Sequence, residues 1–138
     1  MKQKLLATLL AFCLVVGMLP LAASAAGQPV TTFSDLKYAV ATAETGSTIS
    51  VSGDIDFGNE TLTINKGLTI VGEAGSSLKF SGNANTAAFK VTTNEQVNLT
   101  NIALTTTRRA MVLSGNSPHV TVTGCTFLVG ERGISFAQ

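Results

Sequence analysis

The segment Val97–Leu104, with the sequence VNLTNIAL, gives the clearest indication of the fold. It recurs as Val120–Phe127, with the sequence VTVTGCTF, about 23 residues further along the chain. Apolar residues alternate with small or polar ones in both copies, as in strands that bury one face. A fixed period of this length indicates a repeat fold, in which each unit buries its apolar face against its neighbours.

Apolar pairs spaced i, i+2 extend this pattern in both directions, and we assign three such strand pairs to each coil. Both members of a pair point to the same side of a strand, so stacked coils should place them in columns. The predicted columns include Phe57, Phe80, Leu104 and Phe127, and Ile64, Val91, Leu113 and Phe136. The predicted outward row contains Ser50, Thr69, Asn98 and Thr121.

Two-residue corners, Thr100-Asn101 and Thr123-Gly124, follow the second strand of the later coils. Asn and Gly are the residues that best tolerate left-handed backbone geometry, which a sharp corner needs. The sequence therefore predicts such geometry at Asn101 and Gly124.

A helical period precedes the coils. After an extended lead at residues 26–31, residues 32–46 are predicted to form a capping helix, with Thr32 at its start and Gly46 at its end. Its apolar stripe consists of Leu36, Ala39, Val40 and Ala43. We expect this helix to cover one end of the coil stack.

Residues 1–25 have the pattern of a secretory signal peptide: the basic Lys2 and Lys4, an apolar run, and Ala23-Ser24-Ala25 at the cleavage site. We therefore expect a secreted or cell-surface bacterial protein with no membrane association after cleavage. The whole chain has nine basic and eight acidic side chains. Removal of the two lysines would leave the acidic residues one ahead, which argues against a nucleic-acid partner.

These features predict an all-β fold: a right-handed parallel β-helix of about four coils with an N-terminal capping α-helix. The chain resembles the pectate-lyase-like β-helix superfamily in the helix segment 33–40, its exit 46–49 and the repeated V-x-[LV]-T-[NG]-x-x-[LF] coils. The resemblance covers nearly all of residues 26–138. It implies the fold and leaves the activity open, because such coils occur in lyases, hydrolases, adhesins and scaffolds.

The coil region, residues 47–138, is expected to be incomplete at its C-terminal end. Gly133–Phe136 begins a new coil, and the sequence offers no lid after it. Unpaired strand edges recruit other chains. We therefore expect either a longer protein or self-association through the open C-terminal coil.

Four basic residues, Lys90, Arg108, Arg109 and Arg132, are predicted to form a strip along one flank of the stack, partly neutralised by Glu131. The planar guanidinium group of arginine matches the carboxylates of uronic acids. The expected partner is an acidic polysaccharide or cell-surface glycan. The alternative is that these are ordinary solvated turn residues.

Asp54 and Asp56 form a close, outward-facing carboxylate pair. Such a pair could hold calcium or serve acid–base chemistry, and the alternative is a solvated strand edge. No cofactor is expected outside a lyase, which could use Ca²⁺.

The expected function is that of a non-catalytic scaffold or interaction module, forming the N-terminal part of a larger adhesin-like or carbohydrate-related protein. The alternative is a fragment of a polysaccharide lyase or glycoside hydrolase acting on acidic polysaccharide, with catalytic residues beyond Gln138. We do not expect this chain alone to be an enzyme.

Overall fold

The computed structural model describes residues 27–137. The predicted signal peptide lies outside them. The helix is α1 (Phe33–Thr42). The strands are β1 (Thr48–Val51), β2 (Asp54–Asp56), β3 (Leu62–Ile64), β4 (Leu68–Gly72), β5 (Ser77–Phe80), β6 (Ala87–Val91), β7 (Gln96–Thr100), β8 (Ala103–Thr106), β9 (Arg109–Leu113), β10 (His119–Thr123), β11 (Thr126–Val129) and β12 (Ile134–Phe136).

The strands form three parallel sheets of four strands each, in the orders β1-β4-β7-β10, β2-β5-β8-β11 and β3-β6-β9-β12. Every third strand thus returns to the same sheet one coil later. Two neighbouring parallel strands of a sheet must be joined by a crossover connection, and here the other two strands of the coil provide it. Residues 27–137 form a parallel β-solenoid of about four turns, as the repeat period predicted, with one short helix ahead of it.

One predicted column is confirmed, and in the other Leu104 and Phe127 are partners as predicted but Phe80 does not lie opposite Leu104. Ile64, Val91, Leu113 and Phe136 are partners in successive strands of the third sheet. In the second sheet Leu78, not Phe80, lies opposite Leu104, while Phe80 lies opposite Thr106. Since the side-chain period of a strand is two, a shift of two residues keeps the apolar pattern intact. The backbone pairing, rather than the pattern, selected the register.

The outward row of the first sheet contains a similar shift. Thr69, Asn98 and Thr121 are partners as predicted, but Thr48 rather than Ser50 lies beside Thr69. Thr48 and Ser50 are two residues apart on β1, so their side chains point to the same face of the sheet.

The helix α1 covers the first coil. Leu36 and Val40 are buried in the core, and the ring of Phe33 lies 4.4 Å from that of Phe57. Thr32 caps the start of the helix, where its Oγ1 accepts a hydrogen bond from the Asp35 amide at 3.1 Å. The Thr32 cap is thus confirmed.

The C-terminal end of α1 differs from the prediction. The helix ends at Thr42 rather than near Gly46, because Ala43 has an extended ψ of 144°. Lys66 Nζ then donates to the carbonyl oxygens of Ala41 and Ala43, at 2.9 Å each. Gly46 instead has a φ of +86° in the turn that leads to β1.

In the last coil, formed by β10, β11 and β12, each strand has a neighbouring strand on one side only within residues 27–137. Phe136 is 73% exposed, although its neighbour one coil earlier, Leu113, is 8% exposed. Val122 is likewise 37% exposed above the fully buried Leu99. The inward side chains of the middle coils are therefore more fully buried than those of the last coil.

Candidate functional site

A groove of about 670 Å³ lies along the β3-β6-β9-β12 sheet, and we call it the basic groove. Its walls come from all four coils. They contain Thr61, Asn85, Thr86, Ala87, Lys90, Arg109, Val112, Ser114, Arg132, Phe136 and Ala137. Three of the four basic residues predicted from sequence are among them.

Lys90 enters the groove from the exposed side of β6. Its neighbours Phe89 and Val91 are fully buried, and strand alternation therefore turns Lys90 outward. In the next coil Val112 lies beside it. Val112 is thus an apolar part of the groove wall.

Arg109 lies at the start of β9 with its side chain 23% exposed. Its Nη2 donates to Asn85 Oδ1 at 3.2 Å. Its Nε lies 3.7 Å from Glu131 Oε2, which is an ion-pair distance. The guanidinium is therefore held at the edge of the groove by residues from the coils before and after it.

Arg132 is brought beside this arginine by stacked turns. The amide of Ala110 donates to the Arg132 carbonyl at 3.0 Å, and that of Gly130 donates to Thr106 at 2.9 Å. A Cβ on Gly130 would lie 2.4 Å from the Thr107 carbonyl oxygen, so a larger residue would push the turns apart. The close stacking places an exposed Arg132 one coil above Arg109.

Arg108 does not line the groove. Its Nη1 donates to Glu131 Oε1 at 2.9 Å, and its Nε donates to the carbonyl of Gly82 at 3.3 Å. The predicted strip of four cations is thus divided. Lys90, Arg109 and Arg132 line the groove. Arg108 instead forms hydrogen bonds with turns of the coils before and after its own.

The groove is cationic. Its lining residues include three cations and no carboxylate, with the polar side chains of Asn85, Thr86, Thr61 and Ser114 between them. Glu131, the nearby acid, lies outside this lining and pairs with both Arg108, at 2.9 Å, and Arg109, at 3.7 Å. Guanidinium and ammonium groups beside hydroxyl and amide groups form a surface suited to carboxylates that carry neighbouring hydroxyls.

Sequence reasoning missed Asn85. The asparagine lies in a turn with a φ of +68°, and the turn itself brings its side chain to Arg109. The usable signal was the Asn-Ala-Asn segment before β6, since asparagine favours left-handed turn positions.

Asp54 and Asp56 lie outside the groove lining, on β2 in a different sheet. Asp54 Oδ1 accepts a hydrogen bond from Ser77 Oγ, and Asp56 Oδ1 accepts one from the Gly58 amide at 2.7 Å. Within residues 27–137, no group of three or more histidine, cysteine or acidic residues is placed to hold a metal ion.

Comparison with known proteins gives no match to a protein-family model, a curated protein or a solved structure. Among the described residues, no helix has the length and apolar character needed to cross a membrane.

Proposed function

We propose that this chain is a non-catalytic β-helix module that binds an acidic polysaccharide in the basic groove. The observation that carries the proposal is the convergence of Lys90, Arg109 and Arg132 on one groove whose lining holds no carboxylate. Arginine binds carboxylates through two parallel hydrogen bonds, and lysine adds a mobile charge. A uronic-acid polymer offers a carboxylate on each sugar.

The arrangement of the groove favours a polymer over a small anion. Its residues come from successive coils, from Thr61 in the first to Arg132 in the fourth. Coils in a parallel stack are about 4.8 Å apart. A chain that lies along the stack could therefore meet a new coil with nearly every sugar.

The chemistry of the groove also favours binding over glycoside hydrolysis. Glycoside hydrolysis usually needs two carboxylates on opposite sides of the scissile bond. The carboxylate pair of the chain, Asp54 and Asp56, lies on another sheet. The solenoid would thus present the glycan as a scaffold, within an adhesin-like or carbohydrate-related protein.

We also infer a right-handed coil, as in the pectate-lyase-like superfamily that the sequence resembles. The support is general: parallel strands joined by a crossover are right-handed in nearly all proteins. The secreted or cell-surface location rests on the signal-peptide pattern of residues 1–25.

The test is titration of the purified protein with polygalacturonate, with a neutral galactan as the control ligand. We expect binding of the acidic polymer alone, weakened by added salt because exposed charges are screened. The double variant Lys90→Gln/Arg132→Gln should bind about 10-fold more weakly or worse, as expected for the loss of charge-assisted hydrogen bonds.

The matched control is Lys79→Gln, which removes an exposed lysine from β5 on another sheet and should leave binding unchanged. Equal losses in both variants would contradict the groove as the binding site. Release of unsaturated sugars from polygalacturonate, assayed with and without Ca²⁺, would overturn the non-catalytic proposal and support the lyase alternative.

A further inference from the structure

Arg109 is the most constrained cation of the basic groove. Its side chain is 23% exposed, whereas Lys90 and Arg132 are exposed residues. Its Nε is buried and has no hydrogen-bond partner among the described residues. A buried donor without a partner is costly, so the position of this guanidinium must be maintained by its other contacts.

Asn85 provides the hydrogen bond that the guanidinium makes within the described chain. Its φ of +68° belongs to the left-handed region, which few residues other than glycine and asparagine adopt readily. The turn is also tied by the Thr86 amide, which donates to the Asn83 carbonyl at 3.1 Å. The backbone therefore directs the Asn85 side chain toward Arg109, and the hydrogen bond to Nη2 holds its Oδ1 there.

Glu131 lies on another side of the same guanidinium. Its Oε1 is bound to Arg108, which leaves Oε2 at 3.7 Å from Arg109 Nε. The carboxylate thus attracts Arg109 without a hydrogen bond. Asn85 is left as the group that sets the orientation of the Nη atoms.

We propose that Asn85 is a positioning residue that orients the Arg109 guanidinium for the carboxylate of a uronic-acid ligand; this inference rests on the proposed function. A guanidinium has five N–H donors, and Asn85 occupies one of them. The rest include donors for a two-point contact with a carboxylate. Orienting the side chain in advance removes an ordering cost worth about 3- to 10-fold in affinity.

The test is the variant Asn85→Gly. Glycine suits a φ of +68°, so the turn should be retained while the Oδ1 anchor is lost. We expect affinity for polygalacturonate to fall about 3- to 10-fold. In an Arg109→Gln background the same change should cost nothing further, because the two residues act as one unit. Asn83→Ala, in the same turn but outside the groove lining, is the matched control and should bind like wild type.

A second measurement needs no ligand. The Nε–H signal of Arg109 should exchange slowly with solvent in the wild-type protein, because this atom is buried, and faster in Asn85→Gly. Unchanged exchange in Asn85→Gly, or an equal loss of affinity in the Arg109→Gln background, would overturn the positioning role. A wild-type protein that does not bind polygalacturonate would instead overturn the proposed function, and with it the ligand assigned to Arg109.

Discussion

Asn101 and Gly124 occupy equivalent corners in successive coils. Their φ angles are +54° and +62°, which confirms the left-handed geometry predicted from the sequence. The two corners are stacked: the Asn101 amide donates to the Thr123 carbonyl at 2.9 Å. A Cβ on Gly124 would lie 2.4 Å from Asn101 Oδ1. Glycine is thus favoured at position 124 by its backbone conformation, and a larger residue would also have to displace the Asn101 side chain.

Gly124→Ala should therefore lower the free energy of unfolding by about 1–3 kcal/mol, the usual cost of a strained backbone position. Urea denaturation would measure this loss. Adding Asn101→Gly should recover part of it by removing the clash. Gly133→Ala is the control, since a Cβ there meets no atom within 4 Å and the φ is not in the left-handed region. Equal stability of Gly124→Ala and Gly133→Ala would contradict this account.

At the scale of elements, α1 closes the first end of the solenoid. Leu36 is fully buried and Val40 is 3% exposed, whereas Tyr38 on the opposite side of the helix is 72% exposed. A short helix has little stability of its own, so this apolar contact must hold it in place. The edge of β1 is also paired, because Val30 forms a parallel bridge to Val51.

Leu36→Ala should lower the free energy of unfolding by about 2–5 kcal/mol, because it removes a buried side chain and leaves a cavity. Tyr38→Ala on the same helix should change it by less than about 0.5 kcal/mol, as exposed substitutions usually do. Thermal or chemical denaturation of the two variants provides the comparison. Similar losses would mean that α1 does not act as a lid.

At the scale of the whole molecule, burial is uneven along the solenoid. The first coil lies under α1, and the middle coils pair on both sides. The last coil pairs on one side within the described residues and leaves Phe136 73% exposed. In stacked repeats, stability is close to a sum of units and their interfaces. Local stability should therefore decrease from the middle coils to β10, β11 and β12.

Amide hydrogen exchange should be fastest in β10–β12 and slowest in β4–β9 at low protein concentration. Mass spectrometry of proteolytic fragments can resolve these regions. Uniform protection that does not change with concentration would contradict the gradient. Protection of β10–β12 that rises with concentration would support the predicted self-association through the last coil.

Strand alternation was strong enough to predict the solenoid, its inward and outward faces, and the exposure of Lys90 beside the buried Phe89 and Val91. It could not distinguish Leu78 from Phe80 as the partner of Leu104, since the two share the same parity. It likewise grouped Arg108 with Arg109, although both pair with Glu131 and only Arg109 lines the groove. Neighbours in sequence can face different surroundings at a turn.

The repeating strands, the helix ahead of them and the corners at Asn101 and Gly124 could all be predicted from the sequence. These depend on local preferences and on the period of apolar residues, which are properties of short segments. The register between coils, and the contacts of Arg109 with Asn85 and Glu131 at the edge of the groove, could be seen only in the folded chain. Those contacts depend on which turns stack, and backbone hydrogen bonds between distant segments determine the stacking.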